Sequence, residues 1–360
     1  MNNSKILSIC IPTYNRGNRL ISLISSLLEC KSNEFEIEIT DNASNDGTID
    51  KIQQIQDERI IIHQNEKNIG GAANMIKSIF NVRNKYAFYC NDRDTINNEQ
   101  LLKLIEFLKK NEFSYIKVLE SKYKTDVPIK IYKKGVDSII HQNYTFHPTG
   151  CIFNCNMIRK MNFNPYEYIE WEGTEKYCRL AWDLMCYGNS ATVEFGVWEY
   201  AHLEYYADNI SGFRTQQNKN RKSVYFHPAE RTRNMKLIMH YLLKESKHLK
   251  IDNNEERGKV ALSVIQEFYL NIPYYKYNTS SKYETLHYQI KPYFVSTVEL
   301  LILYKRYYEE TIEMMKYCDI EEKFIFKWKK DNGSRILLLI KKSLLYDIIF
   351  VKKMICCEKW

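Results

Sequence analysis

Asn91-Asp92-Arg93-Asp94 sets two carboxylates with one residue between them, directly behind the apolar run Tyr86-Ala-Phe-Tyr-Cys90. A buried strand that ends in acids is poor core design, because an ionised carboxylate taken out of water needs a partner. A hard divalent cation makes sense of the pair, since Mg²⁺ and Mn²⁺ take oxygen ligands and can bridge to substrate phosphates. Asp94 and Asp92 are therefore candidate metal ligands. Arg93 stands between them, either to contact phosphate itself or to weaken the metal site by repulsion. Surface turns also produce this spacing, so its weight comes from the strand before it.

The elements that must position these acids are legible in the hydrophobic pattern. Ile6–Ile11 is a short apolar run of the kind found in buried parallel strands, expected to stop at Pro12. Leu20, Leu23, Ile24, Leu27 and Leu28 then recur at helical spacing. Phe35, Ile37 and Ile39 mark a second strand ending at Asp41-Asn42, and Asp46-Gly47 is turn chemistry before a helix carrying Ile49, Ile52 and Ile55. Ile60-Ile61-Ile62 is a third strand. Gly70-Gly71 opens a helix with Ile76, Ile79 and Phe80, and Leu101, Leu104, Ile105 and Leu108 follow the strand at 86–90. This alternation predicts an α/β fold with a mostly parallel sheet flanked by helices. Ligands of such sheets bind beyond the carboxyl ends of the strands, so the polar clusters at 12–16, 41–46 and 91–94 should meet in one crevice.

After about residue 114 the pattern is mixed. Tyr115–Leu119, Ile129–Tyr132 and Cys151–Cys155 read as strands, Thr174–Tyr187 as a helix ending at Gly188, and the polar stretch 203–223 as a mobile loop. From about residue 227 the periodicity is mainly helical, with Pro273 and Pro292 as breaks. The expected organisation is a domain over 1–222, with 1–112 and 113–222 as its two halves, and a helical region over 223–360.

Charge divides the same way. Residues 1–220 carry 26 basic and 27 acidic side chains, whereas residues 221–360 carry 26 and 17. A basic appendage suits anionic lipid or phosphate-bearing acceptors. No nucleic-acid motif accompanies it, so no nucleic-acid partner is expected. The ten cysteines form no Cys-x-x-Cys pair, which suits reduced thiols in a cytoplasmic protein. The chain enters a strand without an apolar signal segment, and no stretch reaches about 18 uncharged apolar residues. Residues Ser334–Lys353 are apolar and helical in pattern, with Lys341, Lys342, Lys352 and Lys353 within a ~120° sector at 100° per residue. Peripheral contact of residues 334–360 with the inner face of a membrane, a packed terminal helix and an oligomer contact are all open on this pattern.

Taken together, Ser8-Ile-Cys-Ile-Pro-Thr-Tyr-Asn-Arg16, Thr40-Asp-Asn-Ala-Ser-Asn-Asp-Gly-Thr48, Asn68-Ile-Gly-Gly-Ala-Ala-Asn74 and Asn91-Asp-Arg-Asp94 resemble the nucleotide-sugar domain of family 2 glycosyltransferases. Order and spacing both fit over roughly residues 5–110. The resemblance implies the GT-A fold (Rossmann-like) and a nucleotide-diphosphate sugar as donor, UDP-sugar foremost. Its donor residues would be Pro12, Tyr14, Asn15, Arg16, Asp41, Asn42, Gly71, Asn74, Asp92 and Arg93, with Asp94 the usual direct ligand of Mn²⁺ or Mg²⁺. Pro12, Tyr14 and Asn15 would lie against base and ribose, Asp41 and Asn42 would hydrogen-bond the base, and Asn74 would lie near the ribose or diphosphate. Each has a plainer reading: a strand terminator at Pro12, an Asx turn at Asp41-Asn42, close packing at Gly70-Gly71.

Sugar transfer also needs a carboxylate to deprotonate the acceptor. The family's usual Glu-Asp pair before a glycine-terminated helix is missing. Glu175 fits the spacing to Gly188 best, with Glu172, Glu170 and Asp183 as alternatives. Acids also favour helix starts for electrostatic reasons alone, and Asp183 suits a solvated helix face. His202 or Arg214 could help neutralise the leaving diphosphate, and His147-Pro148-Thr149-Gly150 is either a plain turn or part of the acceptor side. The expected function is inverting transfer of a sugar to a glycan or lipid-linked glycan in bacterial-type surface polysaccharide synthesis. The rival is a non-catalytic sugar- or partner-binding module of a glycan assembly complex, kept alive by Arg93 and the missing Glu-Asp pair.

Overall fold

The computed structural model describes residues 5–121, 128–142, 147–173, 176–199, 228–265 and 297–330. The chain divides into two compact units, Met1–Ala201 with His248–Lys250, and His202–Lys247 with Ile251–Trp360.

The first unit is built on one mostly parallel sheet. β1 (Leu7–Thr13), β2 (Phe35–Asp41), β3 (Ile60–Gln64) and β4 (Tyr86–Tyr89) are mutually parallel, in the order β3-β2-β1-β4. Beyond β4 the sheet continues with β8 (Cys151–Asn154), β6 (Tyr115–Val118), β9 (Ser190–Val193) and β7 (Ile129–Tyr132). β8 is antiparallel to both β4 and β6, so β6 again points the same way as β4. A small antiparallel pair, β5 (Thr95–Ile96) with β10 (Trp198–Glu199), sits beside it.

Helices cover both faces, as the alternation requires. α1 (Gly17–Leu28) buries Leu20, Leu23, Ile24 and Leu27, and α4 (Asn98–Lys110) buries Leu101, Leu104, Ile105 and Leu108. Both stripes share one core with Ile9, Ile11, Phe35, Ile37, Ile39 and Phe88 of the sheet. Each such side chain contributes about 1.5–3 kcal/mol on burial, more than the local propensity of a three-turn helix supplies. α2 (Thr48–Gln53) is a short link after β2, and α3 (Gly71–Asn81) follows β3 and buries Ile76 and Ile79. α5 (Val136–Gln142), α6 (Cys155–Lys160), α7 (Pro165–Ile169) and α8 (Lys176–Met185) complete the unit. α6 starts where the sequence pattern continues a strand, because Asn154 caps it by accepting the Met157 N–H at 3.0 Å.

One expectation needs correction. β1 does not stop at Pro12 but runs on to Thr13, paired with Thr40 and Asp41 of β2. Cys10 accepts from β4 and Thr13 accepts from the β2 side, so by alternation Pro12 faces β4. The β4 register ends at Cys10, and the missing proline N–H costs no ladder bond.

In the second unit Pro228–His240 continues into a π-helical turn, Tyr241–Glu245, followed by helices at 254–265, Thr297–Tyr317 and 322–330. Met235, Met239, Leu242, Val260, Ile265, Met315, Ile325 and Trp328 are buried there. No helix among the described residues is long and apolar enough to cross a membrane. Residues 203–223, Pro273, Pro292 and 334–360 lie outside the described residues.

The turn entering β8 is tightly packed. Gly150 has φ +88°, and a Cβ there would stand 2.3 Å from the Val118 carbonyl oxygen and 2.4 Å from Trp198 Nε1. Gly150→Ala combines a left-handed backbone with overpacking and should cost about 2–4 kcal/mol. Urea unfolding of the full chain would show it as a lowered midpoint with an unchanged slope.

Candidate functional site

The carboxyl ends of β1 and β4 are joined through Asp92. Its Oδ2 accepts from the Thr13 hydroxyl at 3.0 Å, and its Oδ1 pairs with Arg16 Nη1 at 2.8 Å. Asp92 is 2% exposed, whereas the Arg16 side chain retains 24% and so reaches toward solvent. Breaking a buried pair on one side is costly because it strands the remaining charge.

Asp94, 1% exposed, is held differently. Its Oδ2 accepts from the Thr149 hydroxyl and from Asn91 Nδ2 at 3.2 Å, with His147 Nε2 at 3.7 Å. The Thr149 oxygen in turn accepts the Asn91 N–H at 3.0 Å and Asn91 Nδ2 at 3.1 Å. Tyr89 donates to Asn91 Oδ1 at 3.1 Å. Burial pushes the Tyr89 phenol well above its ordinary range, with Asp92 among the neighbours adding to it and Arg93 opposing, so it stays a donor. Arg93 is half-buried. Behind the turn, Lys117 Nζ grips the carbonyls of His147 at 2.6 Å and Thr149 at 3.0 Å, and the His147 ring stacks on Trp198 at 5.2 Å. His147-Pro148-Thr149-Gly150 is therefore a support for Asp94.

At the end of β2, Asp41 is buried and accepts from the Ser44 N–H at 3.0 Å, from the Ser44 hydroxyl, and from Gln64 Nε2 at 3.4 Å. The loop after β1 is stitched to it: Asn15 N–H donates to Ser44 Oγ at 2.8 Å, and Asn15 Oδ1 accepts the Asn45 N–H at 2.9 Å. Asn15 takes φ +53°, a conformation that asparagine tolerates better than most side chains. Tyr14, beside it, is 38% exposed at the crevice. Asn42 and Asn74 face inward instead. Asn42 Oδ1 accepts from Asn65 Nδ2 and the Ile69 N–H, while Asn74 donates to the Thr40 carbonyl and accepts from Asn65. Close packing does not explain Gly71, because a Cβ there would meet nothing within 4 Å; Gly70 needs its φ of +87°. The three polar clusters thus converge at one end of the sheet.

The sequence profile of Glycosyl transferase family 2 matches residues 8–165, the stretch that contains every residue of this crevice named above except Trp198. Residues 8–165 are thus similar to a family 2 glycosyltransferase domain. TuaG of Bacillus subtilis, named for teichuronic acid biosynthesis, is 29% identical over 112 residues, 31% of this chain and 44% of that protein. The abequosyltransferase RfbV of Salmonella typhimurium is 31% identical over 116 residues, 31% of this chain and 35% of its own. The matched stretch thus spans less than half of either relative. The crystal structure of S. aureus TarS 1–349 with UDP superposes with a TM-score of 0.53 over 89% of this chain and 92% of that one, at 15% identity, and shows the shared GT-A fold.

The base candidates, all beyond the matched stretch, separate by position. Ser114, at the foot of β6, donates to the Gly188 carbonyl at 2.8 Å, so α8 ends at the amino side of the parallel strands and its start faces the carboxyl side. Glu175 lies just before that start and outside the described residues, as do His202 and Arg214. Glu172 is exposed in the segment leading there. Glu170 caps α7, whose Tyr168 packs on Phe80 at the far end of α3, toward the foot of the sheet. Asp183 is not on a solvated helix face: it is 1% exposed, accepts from the Tyr168 hydroxyl at 3.0 Å and has His248 Nε2 at 3.9 Å.

The oxygen donors at the ends of β1 and β4 suit a hard cation. Among the described residues no three His, Cys, Asp or Glu side chains cluster to hold a metal ion. Asp94 has the required chemistry, an oxygen donor oriented by a hydroxyl and an amide, and Mg²⁺-type ions typically take one or two carboxylates and complete their shell with phosphate and water. Asp92 could join only by releasing Arg16. Asn65 was not singled out by sequence reasoning, and Thr13, Ser44 and Thr149 stood there only inside longer motifs with no contact assigned, because nothing local marks a hydroxyl or amide that reaches 23 to 79 residues along the chain. The Arg16–Asp92 link should appear as coupling: a double-mutant cycle of Arg16→Ala with Asp92→Asn, read by urea unfolding, should give about 1–2 kcal/mol.

Proposed function

We propose that this protein is an enzyme that transfers a sugar from a nucleotide-diphosphate donor, UDP-sugar foremost, to a glycan or lipid-linked glycan in surface polysaccharide synthesis. The observation that carries this reading is the convergence of the three strand ends, joined by Arg16–Asp92 and by Asn15 with Ser44 and Asn45. The family match supports the reaction class, and the relatives named for teichuronic acid biosynthesis and abequosyl transfer support the acceptor class. UDP, named with the TarS structure, is the nucleotide proposed.

In the proposed reaction Tyr14 covers the base, Asp41 takes its hydrogen-bond donors, and Arg16 and Arg93 face the diphosphate. Asn42 and Asn74 serve by holding the floor of the nucleotide pocket. Asp94, with Asp92 as a second ligand, would hold Mn²⁺ or Mg²⁺, which when bound would neutralise charge on the leaving diphosphate. Glu175, or Glu172 beside it, removes the acceptor proton as its oxygen displaces the nucleotide with inversion. Residues 334–360 would bring the enzyme to the inner face of the cytoplasmic membrane, where lipid-linked acceptors lie.

The test is UDP release from a panel of UDP-sugars with Mn²⁺, with and without acceptor glycans. Asp94→Asn should lower both transfer and donor hydrolysis by about 10²-fold or more. Glu175→Gln should lower transfer by about 10²-fold while leaving donor affinity nearly intact. Nucleotide binding without turnover on any acceptor would favour the non-catalytic module, and near-normal transfer by Glu175→Gln would move the base to Glu172.

A further inference from the structure

We propose that Thr149 is a positioning residue for Asp94, fixing the carboxylate in the orientation in which it serves the donor's cation and diphosphate; this rests on the donor-site reading above. Thr149 lies 55 residues from Asp94 in sequence, in the turn that enters β8. It is fully buried. A threonine hydroxyl offers one hydrogen and two lone pairs. One lone pair takes the Asn91 N–H at 3.0 Å, and the other faces Asn91 Nδ2 at 3.1 Å, an amide nitrogen that also lies 3.2 Å from Asp94 Oδ2 and 3.2 Å from His147 Nε2. The single hydrogen is therefore directed to Asp94 Oδ2, which it meets in a close contact.

The partners leave little room for another arrangement. Asn91 keeps its amide nitrogen toward Asp94 and Thr149, because its oxygen accepts from the Tyr89 hydroxyl at 3.1 Å. The turn itself is fastened from behind: Lys117 holds two of its carbonyls, and the Gly150 N–H donates to the Tyr89 carbonyl at 3.1 Å. Gly150 has no space for a side chain on that side, so the turn stays close against Val118 and Trp198. A turn needed only to reverse the chain would be complete with these backbone contacts. The hydroxyl does something more, which is to reach the last acid of Asn91-Asp92-Arg93-Asp94.

Partners of this kind set the orientation and basicity of a metal-binding carboxylate, and losing one typically costs 10–100-fold in metal affinity. The experiment measures Mn²⁺ binding to the full chain with saturating UDP, by electron paramagnetic resonance of free Mn²⁺. UDP affinity in EDTA and the thermal midpoint are measured alongside. Thr149→Val keeps the shape and removes the hydroxyl, and should weaken Mn²⁺ by about 10–100-fold while UDP affinity in EDTA holds. Thr149→Ser keeps the hydroxyl and should restore Mn²⁺ affinity to within about threefold, whatever it costs in stability. Should Thr149→Val not fold, Thr149→Cys, a weaker donor of similar size, should fall between wild type and loss. A folded Val or Cys variant that binds Mn²⁺ as wild type does overturns the proposal, as does a Ser variant no better than Val. A wild-type chain that binds UDP but no Mn²⁺, or no UDP at all, overturns the donor-site reading itself and this proposal with it.

Discussion

Two carboxylates with one residue between them, both almost fully buried, set the constraint that the first unit is built around. Each ionised group taken from water costs several kcal/mol unless its surroundings return the loss, and two like charges at close range make the demand steeper. The surroundings divide the task. Asp92 receives a guanidinium and a hydroxyl, while the contacts gripping Asp94 Oδ2 are a hydroxyl and an amide. The hydroxyl and the amide orient the Asp94 carboxylate, with His147 Nε2 3.7 Å away.

Topology makes the division possible. Parallel strands bring the ends of β1, β2 and β4 to one edge, which puts Thr13, Asp41 and Asn91 within reach of one another's loops. β8 then enters the sheet antiparallel to β4, so its first residue lies beside the last of β4. The turn carrying His147 and Thr149 is thereby delivered to the same edge from the opposite direction. A parallel strand in that position would have put this turn at the foot of the sheet. The polar support of Asp94 is thus a consequence of one reversed strand.

The same edge explains why some polar residues of these clusters turn inward. Asn42, Asn65 and Asn74 bond one another and the backbone, closing the floor between β2, β3 and α3. Each amide has donors and acceptors on opposite sides, so a chain of them can bridge strand ends that end out of step. Tyr14 and Arg16, held on a loop that Asn15 stitches to Ser44 and Asn45, are left at the crevice. Specific contact and structural bracing are adjacent here, and sequence position alone does not tell them apart.

What the sequence by itself determined was everything that depends on local periodicity. Apolar runs of strand length alternate with leucine and isoleucine at helical spacing, and that alternation admits few solutions other than a parallel sheet covered on both faces. The polar clusters at 12–16, 41–46 and 91–94 follow strands directly, so their convergence was implied as soon as the sheet was. The tertiary structure decided what depends on distant pairing: that β1 runs through Pro12 because its nitrogen faces the side where β4 has ended, that Asp183 is buried against Tyr168, and that Arg16 pairs with Asp92. It also decided that Thr149, in a turn of unremarkable composition, stands behind Asp94. Periodicity is written in neighbouring residues and can be read from them, whereas a hydrogen bond across 55 positions exists only once the strand order and direction are set.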